Sequence, residues 1–205
     1  MIIILISVLV GISTAFIGAI QLQKFGTEIF VANLIGLSMV RQMAASMTAF
    51  VMAGRTGAAY AAQIGTMQVN QEIDALETLG VPPIDFLVVP RIMAMVVMMP
   101  FLYFFSCLAG ILGGLLVAKL MLNISPVAFY HQIVGALHVK DFVVGVLMAI
   151  VFGALVAFYG CLRGIQCGRS AASVGQAATS AVVGSIVAII VANFIFSIVT
   201  TTLGI

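Results

Sequence analysis

The chain has 205 residues, of which 63% are hydrophobic and only 7% are charged, and its mean hydropathy is +1.30. Soluble domains carry roughly a quarter of charged residues, so this composition excludes a water-soluble protein and predicts that lipid surrounds most of the chain. The formal net charge of +2 excludes nucleic acid as a main partner, because no basic field is present to hold a phosphate backbone.

Long uncharged stretches predict an all-α fold in one transmembrane domain of residues 1–205. A helix crosses the hydrocarbon core with about 20 apolar residues, and the uncharged run from Ile92 to Ala118 excludes the alternating pattern of a β-barrel. A single short helix at most is expected in the turn-rich stretch from Met121 to Asp141. The five predicted spans are Ile2 to Gln21, Ile29 to Gly65, Pro90 to Leu120, Phe142 to Leu162 and Ala177 to Leu203.

The second span is too long for a simple crossing. As one helix, Ile29 to Val69 would measure about 61 Å, twice the thickness of the hydrocarbon core. It must therefore break, tilt or project from the membrane, and Gly54 and Gly57 are the natural points for a break. The projecting end leads into the most polar region of the chain, Gln68 to Arg91.

This polar region contains a predicted short helix from Gln71 to Leu79. Asn70 suits its N-cap, and Gly80 ends it before two prolines. Its helical projection separates an acidic side from an apolar side that also carries Glu72. The acidic side has Asp74, Glu77 and Thr78, and the apolar side has Ile73, Ala75, Leu76 and Leu79. Such a helix either rests at the lipid boundary or docks on a protein with basic groups around an apolar groove.

Three polar residues within the second span recur every seven positions: Arg41, Thr48 and Arg55. In an unbroken helix they would lie within about 40° of one another. They form either a track facing a cavity, where a cation meets a lipid phosphate, or two separate cations. In the second case Arg41 reaches the membrane surface, and Arg55 reaches the opposite interface or neutralises a helix end.

Small residues four positions apart predict close helix packing. One run is Gly54, Ala58 and Ala62, and another is Gly57, Ala61 and Gly65. The longest run lies in the fifth span and is the first candidate for contact within or between subunits. Its members are Ser180, Gly184, Ala188 and Ala192.

The sequence contains no recognisable catalytic set, metal pattern or cofactor motif. His131 and His138 are seven residues apart with no acidic pair in a ligand pattern, and the three cysteines are expected to pack as small apolar residues. A phosphate-binding loop with Gly-Lys-Ser/Thr is also missing. Any ATP-driven activity must therefore use a separate ATPase.

Three segments closely resemble the MlaE/YrbE permease family, the membrane subunits of lipid-transporting ABC systems. They are GRTGAAYAAQIGTM at 54–67, EIDALETLGVPP at 72–83 and Pro90-Arg91. The resemblance implies a homodimeric permease in the bacterial inner membrane, with an ATP-binding cassette ATPase on the cytoplasmic side and an MCE-domain protein on the periplasmic side. A STAS-domain protein is a further implied partner, and the substrate is phospholipid or a related lipid.

The resemblance also assigns a role to the short helix, which is similar to the helix that couples such permeases to their ATPase. The implied coupling residues are Glu72, Ile73, Asp74, Ala75, Leu76, Glu77, Leu79 and Gly80. The resemblance also places residues 68–91 and 163–176 in the cytoplasm. The number of Lys and Arg residues beside the spans is equal on the two sides of the membrane, so the charge rule alone does not decide the orientation. Family members usually carry an amphipathic helix before the first span, and this chain begins at the span.

Two other functions are alternatives to a lipid permease. They are an intramembrane lipid-modifying enzyme and a membrane scaffold that does not transport.

Overall fold

The computed structural model describes residues 1–203, and these residues contain five helices long and apolar enough to cross a membrane. This confirms the predicted all-α polytopic fold and the number of spans. The spans are α1 (Ile2–Gln23), α2 (Glu28–Val69), α4 (Ile84–Met121), α6 (Val139–Ile165) and α7 (Ala171–Thr202). Two shorter helices connect them, α3 (Glu72–Thr78) and α5 (Pro126–Ala136).

The spans extend beyond the ends predicted from hydropathy alone. The start of α4 is Ile84 rather than Pro90, and α7 starts at Ala171 rather than Ala177. Polar residues end an apolar stretch without ending a helix, because the backbone hydrogen bonds continue regardless of the side chains. The predicted short helix before α6 is present as α5, where the Ser125 hydroxyl accepts a hydrogen bond from the Ala128 N–H at 3.2 Å.

Of the three alternatives for α2, the break at Gly54 and Gly57 is not present, because the helix continues through both residues. Two π-helical turns replace it, at Met39–Met43 and at Ala53–Gly57. A π turn holds one more residue than an α turn, so each one shifts the direction of all later side chains.

The chain divides into two compact units, with the divisions falling inside α2, α4 and α6. The first unit contains residues 1–48 and 101–148. Here the backbones of α1 and α4 approach closely, since a Cβ atom at Gly11 or Gly113 would overlap the backbone of Gly110 or Val8. The hydroxyls of Ser7 and Ser106 hydrogen-bond across this contact at 2.7 Å. Further along, α5 packs Phe129 and Ile133 into a core shared with the first half of α2.

The second unit contains residues 49–100 and 149–202. Helix α2 packs closely on α6, where a Cβ at Gly164 would meet Ile64 at 2.7 Å. The last helix, α7, packs along Ala53–Val69 of α2. A small apolar core lies beneath α3 and contains Ile64, Ile73, Leu87, Val88 and Cys161.

Candidate coupling and intramembrane sites

The start of α3 differs from the predicted one. Asn70 is not its N-cap, because α2 continues to Val69 and Asn70 ends that helix. Gln71 takes the N-cap position with a left-handed backbone, φ 61°. The Asn70 amide donates instead to the Glu72 carboxylate at 3.2 Å. The chain therefore turns from α2 into α3 within two residues.

The predicted end of α3 at Gly80 is confirmed. Gly80 has φ 76°, a backbone conformation that side chains disfavour. The N–H of Val81 donates to the Leu76 carbonyl at 3.0 Å, and the N–H of Gly80 donates to the Glu77 carbonyl at 3.0 Å. This pair of bonds is the Schellman motif, which satisfies carbonyls that the helix end would leave free.

The apolar side of α3 is divided between the protein's own core and the surface. Ile73 is 5% exposed, and Leu76 packs against the same core as Leu87 and Val88. Leu79 is 76% exposed. Leu76 is thus half-buried and helps to hold α3 on its own chain, while its role as a coupling residue stays a prediction. Leu79 is the more exposed of the two leucines.

The acidic side of α3 is divided in the same way. Asp74 accepts a hydrogen bond from the Arg169 guanidinium at 3.1 Å, while Glu77 is exposed. Arg169 comes from the connection between α6 and α7, which the sequence did not link to α3. The exposed surface of α3, which we call the α3 outer face, consists of Glu72, Ala75, Glu77, Thr78 and Leu79.

The connection that presents Arg169 is itself well ordered by hydrogen bonds. Ser170 and Ser173 each accept the other's backbone N–H at 3.3 Å, a reciprocal cap at the start of α7. The Ser173 hydroxyl also donates to the Gly168 carbonyl at 2.5 Å. Cys167 lies against Gly65 of α2, where an added Cβ would be 3.2 Å from its sulfur. Arg169 is thus held beside α3 by a short, anchored loop.

The three polar residues of α2 differ in their exposure. Thr48 is fully buried, Arg55 is exposed and Arg41 is one-third exposed. The expected alignment assumed an uninterrupted α-helix, and the π turns at Met39–Met43 and Ala53–Gly57 change the helical phase around all three residues. A track that these three residues share stays a prediction.

Arg41 has partners within the first unit. Its Nε lies 3.6 Å from an Asp141 carboxylate oxygen, and the Asp141 side chain is 8% exposed. The other Asp141 oxygen accepts the His138 N–H at 3.0 Å and so caps α6. Close by, the Tyr103 hydroxyl donates to the Val40 carbonyl at 2.7 Å. This bond holds the π turn on which Arg41 lies.

The small residues of α2 separate into two groups. Gly57, Ala61 and Gly65 are buried, and a Cβ at Gly57 would lie 3.2 Å from Val156. Gly54 is exposed, with nothing within 4 Å of an added Cβ. Only the run that contains Gly57 is therefore a packing face.

The buried face of α7 lies one position away from the predicted run. Ser180, Gly184, Ala188 and Ala192 are half-buried. Gly184 faces the Tyr159 ring, 2.8 Å from an added Cβ, which is a contact within the subunit. The buried residues of α7 are Ala177, Ala181, Ser185 and Ile189.

The fold and these contacts define a multi-pass membrane protein with a short polar helix packed on the core of its second unit. A sequence model of the family described as Permease MlaE matches residues 1–199. The probable ABC transporter permease protein slr1045 of Synechocystis is 36% identical over 91% of this chain and 73% of its own length. The corresponding protein RT0041 of Rickettsia typhi is 34% identical over 92% of this chain and 75% of its own length.

A plant relative is also similar, the chloroplastic protein TRIGALACTOSYLDIACYLGLYCEROL 1 of Arabidopsis thaliana. It is 33% identical over 94% of this chain and 55% of its own length. The chain belongs to the MlaE permease family, whose relatives here are ABC transporter permeases.

Proposed function

We propose that this permease moves phospholipid or a related lipid between the bacterial inner membrane and a periplasmic MCE-domain carrier. A separate ATP-binding cassette ATPase supplies the energy, and the permease works as a homodimer. Family membership supports the transport role. The name of the plant relative contains that of a glycerolipid, which favours a lipid substrate. A STAS-domain protein is the further partner that the family resemblance suggests.

The observation that carries the proposal is the two-sided environment of α3. Ile73, Leu76 and the Asp74–Arg169 pair hold the helix on its own chain. The α3 outer face is left with an exposed apolar side chain, Leu79, and an exposed carboxylate, Glu77. A helix fixed on one side transmits a push from a partner on the other side to α2 and α4. The ATPase therefore docks on the α3 outer face, with Leu79 in an apolar groove and Glu77 beside its basic rim.

The test is copurification of the permease with its ATPase, together with ATP-dependent lipid transfer to the carrier. We expect Leu79→Asp to abolish both, because it places an unpaired charge in an apolar contact. Val139→Asp is the matched control, since Val139 is 79% exposed at the start of α6 and lies outside the α3 outer face. Normal copurification and transfer by the Leu79 variant would contradict the assignment.

A second test separates the two carboxylates of α3. Glu77→Gln should weaken ATPase association mildly and reduce its dependence on salt, because rim charges act mainly on the association rate. Asp74→Asn should leave the salt dependence unchanged and raise hydrogen exchange in residues 72–79, because Asp74 is already paired with Arg169. Equal salt slopes for the two variants would refute this division of roles.

A further inference from the structure

Arg91 is a fixed cation without a carboxylate partner. Its guanidinium donates to the Leu87 carbonyl at 3.3 Å and lies over the Tyr60 ring, 5.7 Å from the centroid. Among the described residues, Arg41 and Arg169 have carboxylates within 4 Å, and Arg91 has none. An arginine has five N–H donors, so the bond to Leu87 leaves several for another acceptor. The Tyr60 contact keeps them in a defined direction.

These free donors face an open hollow of about 430 Å³ lined by Ala62, Gln63, Thr66, Met67 and Arg91. The Thr66 hydroxyl donates to the Ala62 carbonyl at 2.8 Å, so the Gln63 amide is the second donor group available there. Most of the remaining wall is apolar, formed by Ala62 and Met67. The hollow thus pairs a positive end with an apolar surface.

The location of the hollow indicates which kind of ligand it binds. Met67 is near the end of α2 at Val69, and Arg91 is in the first turns of α4, so both lie where these spans meet the polar region that contains α3. The hollow, about 430 Å³, is open rather than enclosed, so it can hold a headgroup and the first part of an acyl chain along its apolar wall while the rest of the lipid stays in the bilayer. A free inorganic anion would use the guanidinium but not the apolar wall.

We propose that this hollow binds the phosphodiester headgroup of an acidic membrane phospholipid, with Arg91 and Gln63 as donors and an acyl chain along Met67. Arginine suits this role because its planar fork donates two parallel hydrogen bonds to a phosphate. The site lies on the α2 and α4 ends rather than on the α3 outer face. It is a site of lipid binding, independent of which lipid the permease transports and of whether the ATPase docks on α3.

The experiment uses the full chain in nanodiscs of phosphatidylcholine and phosphatidylglycerol in equal amounts, without ATPase. Native mass spectrometry then counts the lipids retained after detergent extraction. We expect the wild type to retain phosphatidylglycerol preferentially and Arg91→Gln to retain it about tenfold less. Arg91→Lys should recover part of the retention, since it keeps the charge and loses the fork.

Two further variants keep the test decisive. Gln63→Trp fills the hollow from an exposed position while keeping Arg91, and it should also lose retention even if Arg91→Gln fails to fold. Lys119→Gln removes an exposed cation from the last turn of α4 and should retain lipid as the wild type does. Loss of retention in both of the hollow's variants, with normal retention in this control, would support the site.

Several results would overturn the proposal. They are unchanged retention in Arg91→Gln or Gln63→Trp, equal loss in Lys119→Gln, and equal retention of the two lipids by the wild type. Displacement of phosphatidylglycerol by inorganic phosphate would mean that the site binds free anions. No retained lipid in the wild type would mean that something else, such as a second copy of the chain, covers the hollow.

Discussion

Arg41 and Arg55 have the same side chain on the same helix, yet their surroundings differ. Arg41 lies beside the buried carboxylate of Asp141, whereas Arg55 is exposed and has no carboxylate within 4 Å among residues 1–203. A cation beside a buried carboxylate offsets the cost of removing that carboxylate from water. The two arginines should therefore differ in their effect on stability.

We expect Arg41→Gln to lower the free energy of unfolding by about 1 kcal/mol, and Arg55→Gln to change it little. The estimate is modest because Arg41 is one-third exposed, and solvent screens the pair. Thermal unfolding of each variant in detergent, monitored by size-exclusion chromatography, measures both changes in stability. In a double-mutant cycle, Asp141→Asn should add little to the loss caused by Arg41→Gln. Additive losses would mean that the two side chains do not interact.

The seven-residue spacing of Arg41, Thr48 and Arg55 shows that a local sequence pattern predicts a helix but not the direction of each side chain. The sequence predicts a long apolar helix correctly, because mean hydropathy depends only on composition along the segment. The direction of each side chain depends on the helical phase, and a π turn alters it with no clear signature in the residues. The Tyr103 and Ser106 hydroxyls, which donate to the Val40 and Ala44 carbonyls beside Met39–Met43, come from another helix.

At the scale of elements, α2 offers a matched pair of glycines in one π turn. Gly57→Leu should disrupt folding, because its side chain would enter the space of Val156 and Ser185. Gly54→Leu should be tolerated, since nothing lies within 4 Å of the added Cβ. Expression of each variant as a fluorescent fusion, with the share that elutes as a single peak, measures the difference. Equal elution profiles would show that Gly57 is not at a packed contact.

For helix α3 too, the sequence predicts the local structure but not the contacts with residues that are distant in the chain. Its end at Gly80 was predictable because that signal is local, a glycine where the chain needs a positive φ. Which apolar residues remain free was not predictable, because it depends on residues distant in the chain, such as Leu87 and Cys161. For the same reason, the sequence did not predict the ion pair between Asp74 and Arg169, which lies in the connection between α6 and α7.

At the scale of the whole molecule, α7 is the least covered span. Only 11% of its most apolar stretch is buried, against 28% to 50% in the other four. Val183, Val187 and Val191 lie four residues apart on its exposed side. We expect this side of α7 to meet the second copy in the proposed homodimer.

Cysteine crosslinking tests this contact, because Cys107, Cys161 and Cys167 are all buried and give little background. We expect Val187→Cys to form a disulfide-linked dimer in membranes under mild oxidation. Leu112→Cys, on an exposed position of α4, should remain monomeric on the same gel. Efficient crosslinking at Leu112 with none at Val187 would move the interface from α7 to α4.

The glycine contacts between α1 and α4 also bear on how the first span should be regarded. A leader that only brings a protein to the membrane can be exchanged for another of equal length and hydropathy. Here the backbones meet at Gly11 and Gly113, and Ser7 hydrogen-bonds Ser106, so the surface of α1 is complementary to that of α4. An exchanged leader would still deliver the chain to the bilayer, but its bulkier side chains would hold it away from α4. The first span is thus part of the folded protein, and another apolar helix of equal length cannot replace it.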